Sequence, residues 1–363
     1  MSFDNFPEQE EAKRLLAAAL ADGPAHAYLF HGPPGVGKRR AAIAFAAELI
    51  GETARVERGT HPDLYVLEPV GDQVLIDEIR ALRRDLHMRP FEASRRVYVV
   101  LEAHAMNDAA ADALLKDLEE PPEYAVIVLV ADDLGPLTAT IRSRCQPIPF
   151  RRLSEAAVRT ELLERAPGLD AEEVAAIARL SGGRLDRAER LLDPDARKRR
   201  ESLLEVARSV YGEEFDPGEA ARTLLDGIHE RGSAARAEAE EVGEVLELTA
   251  RENDQRVRRA QRRAERDELL ASLEELAWWY RDLIAVAAGA DAAVVHADKL
   301  DQLAGDGAVE RIPGAERACE HIRNTWRGFE EFNIAPQLAL EALFVRLRRE
   351  LGGAALSSLQ IGI

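Results

Sequence analysis

A phosphate-binding loop with an unusual last residue is the feature of the sequence that most clearly points to chemistry. Residues 32–39 are GPPGVGKR, which completes the pattern G-x-x-x-x-G-K. In such a loop the backbone N–H groups face a bound phosphate, and the lysine reaches the terminal phosphates. We therefore predict a phosphate loop, vestigial or weak, made by Gly32, Gly35, Val36, Gly37, Lys38 and Arg39.

Both positions that would hold Mg²⁺ in such a site carry unsuitable residues. The position after Lys38 needs a Ser or Thr hydroxyl but carries Arg39. The second ligand is an Asp at the end of a later apolar strand, and Leu101-Glu102 stands there instead. The sequence therefore predicts no metal, no ATP hydrolysis by the isolated chain, and a structural role for Glu102. Arg39 could still donate to a phosphate, which leaves weak ATP or ADP binding without turnover open.

A second candidate for chemistry is Arg144, in the segment TIRSRC at residues 140–145. It follows the apolar run AVIVLV at residues 125–130 by a short loop. An arginine at the edge of an α/β domain can project toward a neighbouring subunit. Supplied in trans, it stabilises the transition-state charge of phosphoryl transfer. We expect this role for Arg144, and a plain surface arginine is the alternative.

Composition narrows the class of protein. The 363 residues are 46% hydrophobic and carry a net charge of −18, which lowers the expectation that the chain grips DNA phosphates by itself. The two cysteines argue against a disulfide framework or a Cys-rich zinc module. No apolar run approaches the ~20 residues that cross a bilayer, and no export signal is visible. We expect a cytoplasmic protein without membrane contact.

The predicted elements must position these residues. Apolar strands alternate with amphipathic helices over the first ~150 residues, as a parallel α/β sheet with helices on both faces requires. We predict this core at residues 1–152, a small helical domain at 153–193 with Ser154 and Asp170 as helix caps, and an all-α domain at 194–351. Residues 352–363 are expected to form a flexible tail.

The all-α region contains a charged helical insertion at about residues 231–267. Its second part, residues 251–267, has seven arginines. These side chains could contact a phosphate backbone, or the segment could be a solvated helix paired with the glutamates of residues 237–247. The following aromatic run at residues 278–280 is interpreted as a helix-packing core.

Several further segments resemble one family. They are HAYLF at residues 26–30, HPDLY at 61–65, IDEIR at 76–80, LLKDLEEPP at 114–122, TIRSRC at 140–145 and PQLALEAL at 336–343. Together with the phosphate loop, they resemble the delta-prime subunits of the bacterial DNA polymerase III clamp loader, within the AAA+ superfamily. The resemblance covers most of the chain.

The resemblance implies a AAA+ core, a helical lid and a helical collar that joins a five-membered ring with gamma or tau and delta. Through this complex the chain would act on the sliding clamp and primed DNA during replication, as part of the polymerase holoenzyme. It would be a non-hydrolysing stator that offers Arg144 to its neighbour's ATP site and needs no cofactor. Residues 336–343 would lie on the last collar helix.

Three points qualify the resemblance. Many relatives carry a four-cysteine zinc module where residues 50–60 have no cysteine, so we predict no zinc. Asp186 stands where active relatives place a lid arginine, with Arg184 and Arg187 beside it. The sequence leaves open whether His104 and Glu119 are packing or interface residues. The alternative functions are an active gamma/tau-type ATPase with displaced Mg²⁺ ligands and a DNA-binding module that uses the Arg-rich helix.

Overall fold

The computed structural model describes residue 3 and residues 6–69, 73–212, 214–245, 249–332 and 334–352. The chain forms two compact units, Met1–Glu189 and Arg190–Ile363. The division at residues 152 and 193 into core, lid and collar stays a prediction. The predicted flexible tail lies outside the described residues, except for Gly352.

The first unit contains a five-stranded sheet in which every pair of neighbours is parallel. Its strands are β1 (Ala27–His31), β2 (Leu64–Leu67), β3 (Arg96–Val100), β4 (Ala125–Ala131) and β5 (Gln146–Pro149), in the order β2-β3-β4-β1-β5. The apolar runs at residues 27–31, 64–67, 97–101 and 125–130 predict four of these strands; β1 and β2 have the predicted bounds, and β3 and β4 agree within a residue. The predicted α/β class is confirmed.

Helices cover both faces of the sheet. The first unit has α1 (Glu10–Asp22), α2 (Lys38–Ile50), α3 (Thr53–Glu57), α4 (Ile76–Leu86), α5 (Asp108–Glu119), α6 (Ala139–Arg142), α7 (Glu155–Arg165) and α8 (Ala171–Leu180), and α9 (Leu185–Leu192) crosses into the second. Successive strand residues point to opposite faces. Accordingly, Tyr28 and Phe30 pack with α1 and α2, whereas Ala27 and Leu29 pack with α4 and α5.

The strand β5 was not predicted, because its sequence QPIP contains two prolines. Proline cannot donate to a ladder and is tolerated at sheet edges. β5 is such an edge strand, since among the strands that the structure describes it pairs only with β1. The N–H of Phe150 donates to the carbonyl of His31, so alternate residues of β5 face β1. Pro147 and Pro149 therefore occupy positions whose backbone nitrogens face away from the sheet.

The predicted helix caps of the small helical region are confirmed. The Ser154 hydroxyl accepts from the N–H of Ala157, and the Asp170 carboxylate accepts from the N–H of Glu173. Such caps satisfy N–H groups that have no partner inside the helix. Gly182 and Gly183 interrupt the chain between α8 and α9 with positive φ values of 58° and 81°.

The regular secondary structure in the described part of the second unit is all helical. It contains α10 (Pro194–Ser209), α11 (Pro217–Val245), α12 (Ala250–Ala287), α13 (Leu300–Asp306), α14 (Ile312–Phe332) and α15 (Pro336–Leu351). As predicted, the aromatic run lies in the core. Trp279 and Tyr280 are fully buried, and their polar atoms donate to the Tyr211 hydroxyl and the Ala207 carbonyl.

The charged insertion forms part of an antiparallel pair of long helices. Gly232 of α11 lies against Glu265 of α12, and Gly243 lies against Asn253. Some arginines of the insertion have acidic partners one helical turn away: Arg258 pairs with Asp254 and Arg263 with Asp267. No helix in the described part of the chain is long and apolar enough to cross a membrane.

A buried group of charges holds α10 and α12 to the segment that follows α12. His296 Nδ1 lies 2.7 Å from Asp282 Oδ2, and its Nε2 lies 3.0 Å from Glu275 Oε1. Arg200 of α10 donates 2.5 Å to the same Glu275 oxygen. We call His296, Asp282, Glu275 and Arg200 the His296 cluster. Since both ring nitrogens face carboxylates, the imidazole is held as a cation.

Candidate functional site

The phosphate loop connects β1 to α2 at the carboxyl edge of the sheet. Gly32, Gly35 and Gly37 have φ values of 139°, 66° and 95°, which other residues rarely adopt. A Cβ on Gly32 would lie 2.2 Å from the Phe150 carbonyl oxygen, so only glycine fits there. Val36 is fully buried, and its carbonyl accepts from the Gln9 side chain. The loop conformation agrees with the sequence motif.

The Lys38 side chain folds back onto the phosphate loop. Its ammonium donates 2.6 Å to the Gly32 carbonyl, also donates to the Pro33 carbonyl, and lies 2.7 Å from Asp132 Oδ1. The side chain is only 4% exposed. Burial, the largest effect, lowers the Lys38 pKa, and the carboxylates of Asp132 and Asp186 oppose it. The lysine is therefore already paired with protein groups.

The start of α9 lies directly on the loop. A Cβ on Gly35 would come 1.8 Å from Asp186 Oδ1, and the Leu185 N–H donates 2.7 Å to the Gly35 carbonyl. Arg184 donates through Nε and NH2 to the two Asp186 oxygens. We call Lys38, Asp132, Arg184 and Asp186 the Lys38 cluster. A carboxylate is thus held at the loop, near the lysine ammonium.

The two predicted Mg²⁺ positions are engaged in other contacts. Arg39 NH1 lies 2.5 Å from Glu68 Oε1, and both side chains are largely exposed. Leu101 is 5% exposed and belongs to the apolar core on the α1–α2 face. Glu102 has a φ of 53°, and its carbonyl accepts from the Ala105 N–H. The position of Leu101 offers no oxygen to a cation.

Arg144 lies between α6 and the edge strand β5, away from the phosphate loop. Gln146, the first residue of β5, pairs with Tyr28 near the start of β1, whereas the loop follows the end of β1. Because the strands are parallel, Arg144 and the loop lie at opposite edges of the sheet, separated by about 13 Å of strand at ~3.3 Å per residue. The structure does not bring the two predicted sites together.

The Arg144 side chain is held by three acceptors. NH2 donates 2.5 Å to Glu119 Oε1, and NH1 donates 2.9 Å to the Thr140 carbonyl and 3.4 Å to the Ser143 hydroxyl. The side chain is still 32% exposed. It is therefore an ordered arginine at the surface of the first unit.

One group of side chains in the described part of the chain has the composition of a metal site. Glu52, His61 and Glu92 place one oxygen or nitrogen each within 4.8 Å of the others. However, Arg55 NH1 donates to both carboxylates, and His61 Nδ1 accepts from the Asp63 N–H. A neutral His61 must then carry its hydrogen on Nε2, whereas a ligating histidine normally donates through its other nitrogen. These contacts do not fit a bound cation.

Sequence reasoning did not assign three contributors to the loop. Asp132 follows β4, the neighbour of β1, and a carboxylate just after an adjacent parallel strand is a signal that could have located it. His104, left open above, packs here: its Nδ1 accepts from the Asp132 N–H. Gln9 donates to both the Val36 and Arg151 carbonyls. Its role depends on contacts distant in the chain and has no local signal.

Comparisons with known proteins find relatives of the N-terminal region, which contains the phosphate loop and the sheet. A family model described as "DNA polymerase III, delta subunit" matches residues 8–154. DNA polymerase III subunit delta' of Bacillus subtilis is 35% identical over 165 residues, which are 42% of this chain and 50% of that protein. The Pseudomonas aeruginosa delta' subunit is 36% identical over 209 residues, 53% of this chain and 63% of that protein.

A DNA polymerase III subunit of another kind is nearly as similar. The tau subunit of B. subtilis is 32% identical over 209 residues, 53% of this chain and 37% of that protein. The chain thus spans about half to three-fifths of the length of the delta' relatives. The matched region contains the phosphate loop, the parallel sheet and Arg144. In this region, residues 8–154, the chain is similar to the delta-prime subunits of DNA polymerase III.

Proposed function

We propose that the chain is a non-hydrolysing subunit of the DNA polymerase III clamp loader that presents Arg144 to the ATP site of a neighbouring subunit. The observation that carries the first half of this proposal is the Lys38 cluster. The lysine that would meet the terminal phosphates is bonded to its own loop and to Asp132, and Asp186 lies against Gly35. A carboxylate in this place repels a phosphate and competes for the lysine.

The residues at the magnesium positions support the same proposal. Mg²⁺ neutralises the charge that develops during phosphoryl transfer, and it requires oxygen ligands. Arg39 brings a cation that is paired with Glu68, and Leu101 brings a buried aliphatic side chain. We propose that the chain needs no cofactor and no zinc. Any ATP or ADP held at the loop would bind weakly and without hydrolysis.

The position of Arg144 supports its action in trans. It lies at the opposite edge of the sheet from its own phosphate loop, so it cannot serve that loop without a large rearrangement. It is partly exposed and keeps a defined conformation. An arginine finger of this kind contributes about 10³ to 10⁵ in rate at the site it serves.

The proposed partners follow from the similarity to delta-prime subunits. They are gamma or tau and delta in a five-membered ring, with the sliding clamp and primed DNA reached through the complex. The helical second unit, which ends with the predicted collar helix α15, would join the ring. A cytoplasmic location accords with a role in replication.

The alternative is an active ATPase of the gamma/tau type, which the similarity to tau favours. The two functions differ in what the isolated chain does. We expect no ATP turnover above background by the purified chain. Magnesium-dependent turnover that disappears with Lys38→Ala would establish the alternative.

The decisive experiment uses a reconstituted ring with this chain intact or with Arg144→Ala. Clamp-loading-coupled ATP turnover and ring assembly are measured on the same preparations. We expect turnover to fall while the ring remains assembled, by a fraction if the ATP sites act independently and much further if they act together. Unchanged turnover and loading would leave the chain as a purely structural subunit.

A further inference from the structure

The ion pair between Glu119 and Arg144 connects two segments that the sequence leaves unconnected. Glu119 is the last residue of α5, and Arg144 follows α6. Their side chains meet with 2.5 Å between Glu119 Oε1 and Arg144 NH2. The side chains of Glu119 and Arg144 are 48% and 32% exposed, so both are accessible from solvent.

Both ends of this pair are anchored in the same apolar core. Leu118, next to Glu119, and Cys145, next to Arg144, are each 6% exposed and pack in the core on the α4–α5 face. Ile141 of α6 is fully buried there. The Arg144 N–H also donates to the Ile141 carbonyl. The backbones that carry Glu119 and Arg144 are therefore fixed relative to each other.

The pair leaves part of the guanidinium available. Arginine has five N–H donors. The three side-chain hydrogen bonds from Arg144 to described residues come from NH1 and NH2. Nε of Arg144 therefore has no described acceptor, and a guanidinium edge that includes Nε can recognise a phosphate with two parallel hydrogen bonds.

We propose that Glu119 is a positioning residue for Arg144: it fixes the guanidinium so that the Nε edge is presented to the phosphates of the neighbouring subunit's nucleotide. This inference rests on the proposed function of Arg144. Its physical basis is preorganisation. Ordering a flexible side chain on binding costs about 0.5–1.5 kcal/mol of conformational free energy. A side chain that is already held avoids this cost.

The test compares three variants in the reconstituted ring. Glu119→Ala removes the acceptor, and we expect kcat at the affected site to fall about two- to tenfold with KM unchanged, the rate equivalent of ordering one side chain in the transition state. Glu119→Gln keeps an oxygen that accepts from NH2, and its kcat should stay near the wild-type value. Glu120→Ala changes the adjacent exposed glutamate and serves as the matched control. Ring assembly is checked for each preparation.

A double-variant comparison separates positioning from stability. If Glu119 acts through Arg144, then Glu119→Ala has no further effect in a ring that carries Arg144→Ala. An equal loss in both backgrounds would overturn the inference. So would an increase in turnover with Glu119→Ala, since that would mean that Glu119 withholds the arginine.

The failure of the inference is distinguishable from failure of the proposed function. A fall with Arg144→Ala and none with Glu119→Ala overturns only the role of Glu119. Unchanged turnover with Arg144→Ala overturns both.

Discussion

Two clusters of charged side chains, one in each unit, contain similar groups but differ in exposure. In the His296 cluster the histidine and Asp282 are completely buried, and Glu275 and Arg200 are about one-tenth exposed. In the Lys38 cluster only the lysine is buried, while Asp132 is 36% and Asp186 is 42% exposed. The first is sealed among packed helices, and the second lies at the phosphate loop with two partly exposed carboxylates.

This difference predicts different consequences when one side chain is removed from each cluster. A sealed cluster leaves an uncompensated buried charge when one member is removed, so its loss appears as lost stability. A cluster with exposed members is hydrated when one is removed. Its loss should therefore appear in ligand affinity.

The largest expected effect is in the sealed cluster. We predict that His296→Ala lowers the free energy of unfolding by about 3–5 kcal/mol, because Asp282 and Glu275 lose the cation between them. Denaturant unfolding at neutral pH measures this. His229→Ala, an exposed histidine on α11, is the control and should change stability by less than about 0.5 kcal/mol. Equal effects of the two substitutions would remove the distinction between the clusters.

The same histidine gives a pH dependence with a defined sign. Burial lowers the His296 pKa, but the hydrogen bonds that the ring donates to Asp282 and Glu275 outweigh it, and the pKa is raised in the folded protein. The stabilisation that the charged His296 contributes is complete below the pKa of about 6.5 that a histidine has in the unfolded chain. It is lost as the pH rises through the raised pKa of the folded protein. The stability difference between wild type and His296→Ala should therefore shrink on the alkaline side. A difference that grows with pH would contradict the charged imidazole.

A smaller effect is expected at the phosphate loop. Asp186→Ala should raise the affinity for ADP about tenfold, because one negative charge near the phosphates is worth about 1–4 kcal/mol. We expect no ATP turnover and little change in stability. Isothermal titration with Mg-free and Mg-bound nucleotide provides the measurement, with Glu164→Ala as a control at an exposed glutamate of α7. An unaltered affinity would mean that Asp186 does not compete with nucleotide.

The smallest effect is expected at Arg39. Its pair with Glu68 is exposed on both sides, so Arg39→Ala should change the unfolding free energy by less than about 1 kcal/mol. ADP affinity should also stay unchanged, because the guanidinium is bonded to Glu68. Weaker ADP binding by Arg39→Ala would instead support donation from Arg39 to a phosphate. Glu68→Gln removes the charge that pairs with Arg39, so the ADP affinity of this variant also tests whether Arg39 can donate to a phosphate.

Local sequence patterns predicted the core of the first unit because its determinants are local. Glycines at fixed spacing define the phosphate loop, and four of the five strands are apolar runs between helical patterns. The contact of Asp186 with Gly35 joins residues about 150 positions apart, and nothing near either residue indicates it. The pairing of Glu119 with Arg144 is likewise non-local. Strand β5 was missed for the opposite reason, since its prolines locally oppose strand formation.

The prolines of β5 also restrict how other chains can meet this side of the sheet. An exposed edge strand normally offers N–H and C=O groups on which a foreign strand can grow. Pro147 and Pro149 occupy the outward positions of β5 and offer no N–H there. Arg144 directly precedes this strand, so a neighbour that approaches it cannot extend the sheet. A neighbour must therefore contact this edge mainly through side chains. The prolines thus prevent edge-to-edge growth of the sheet while Arg144 remains accessible.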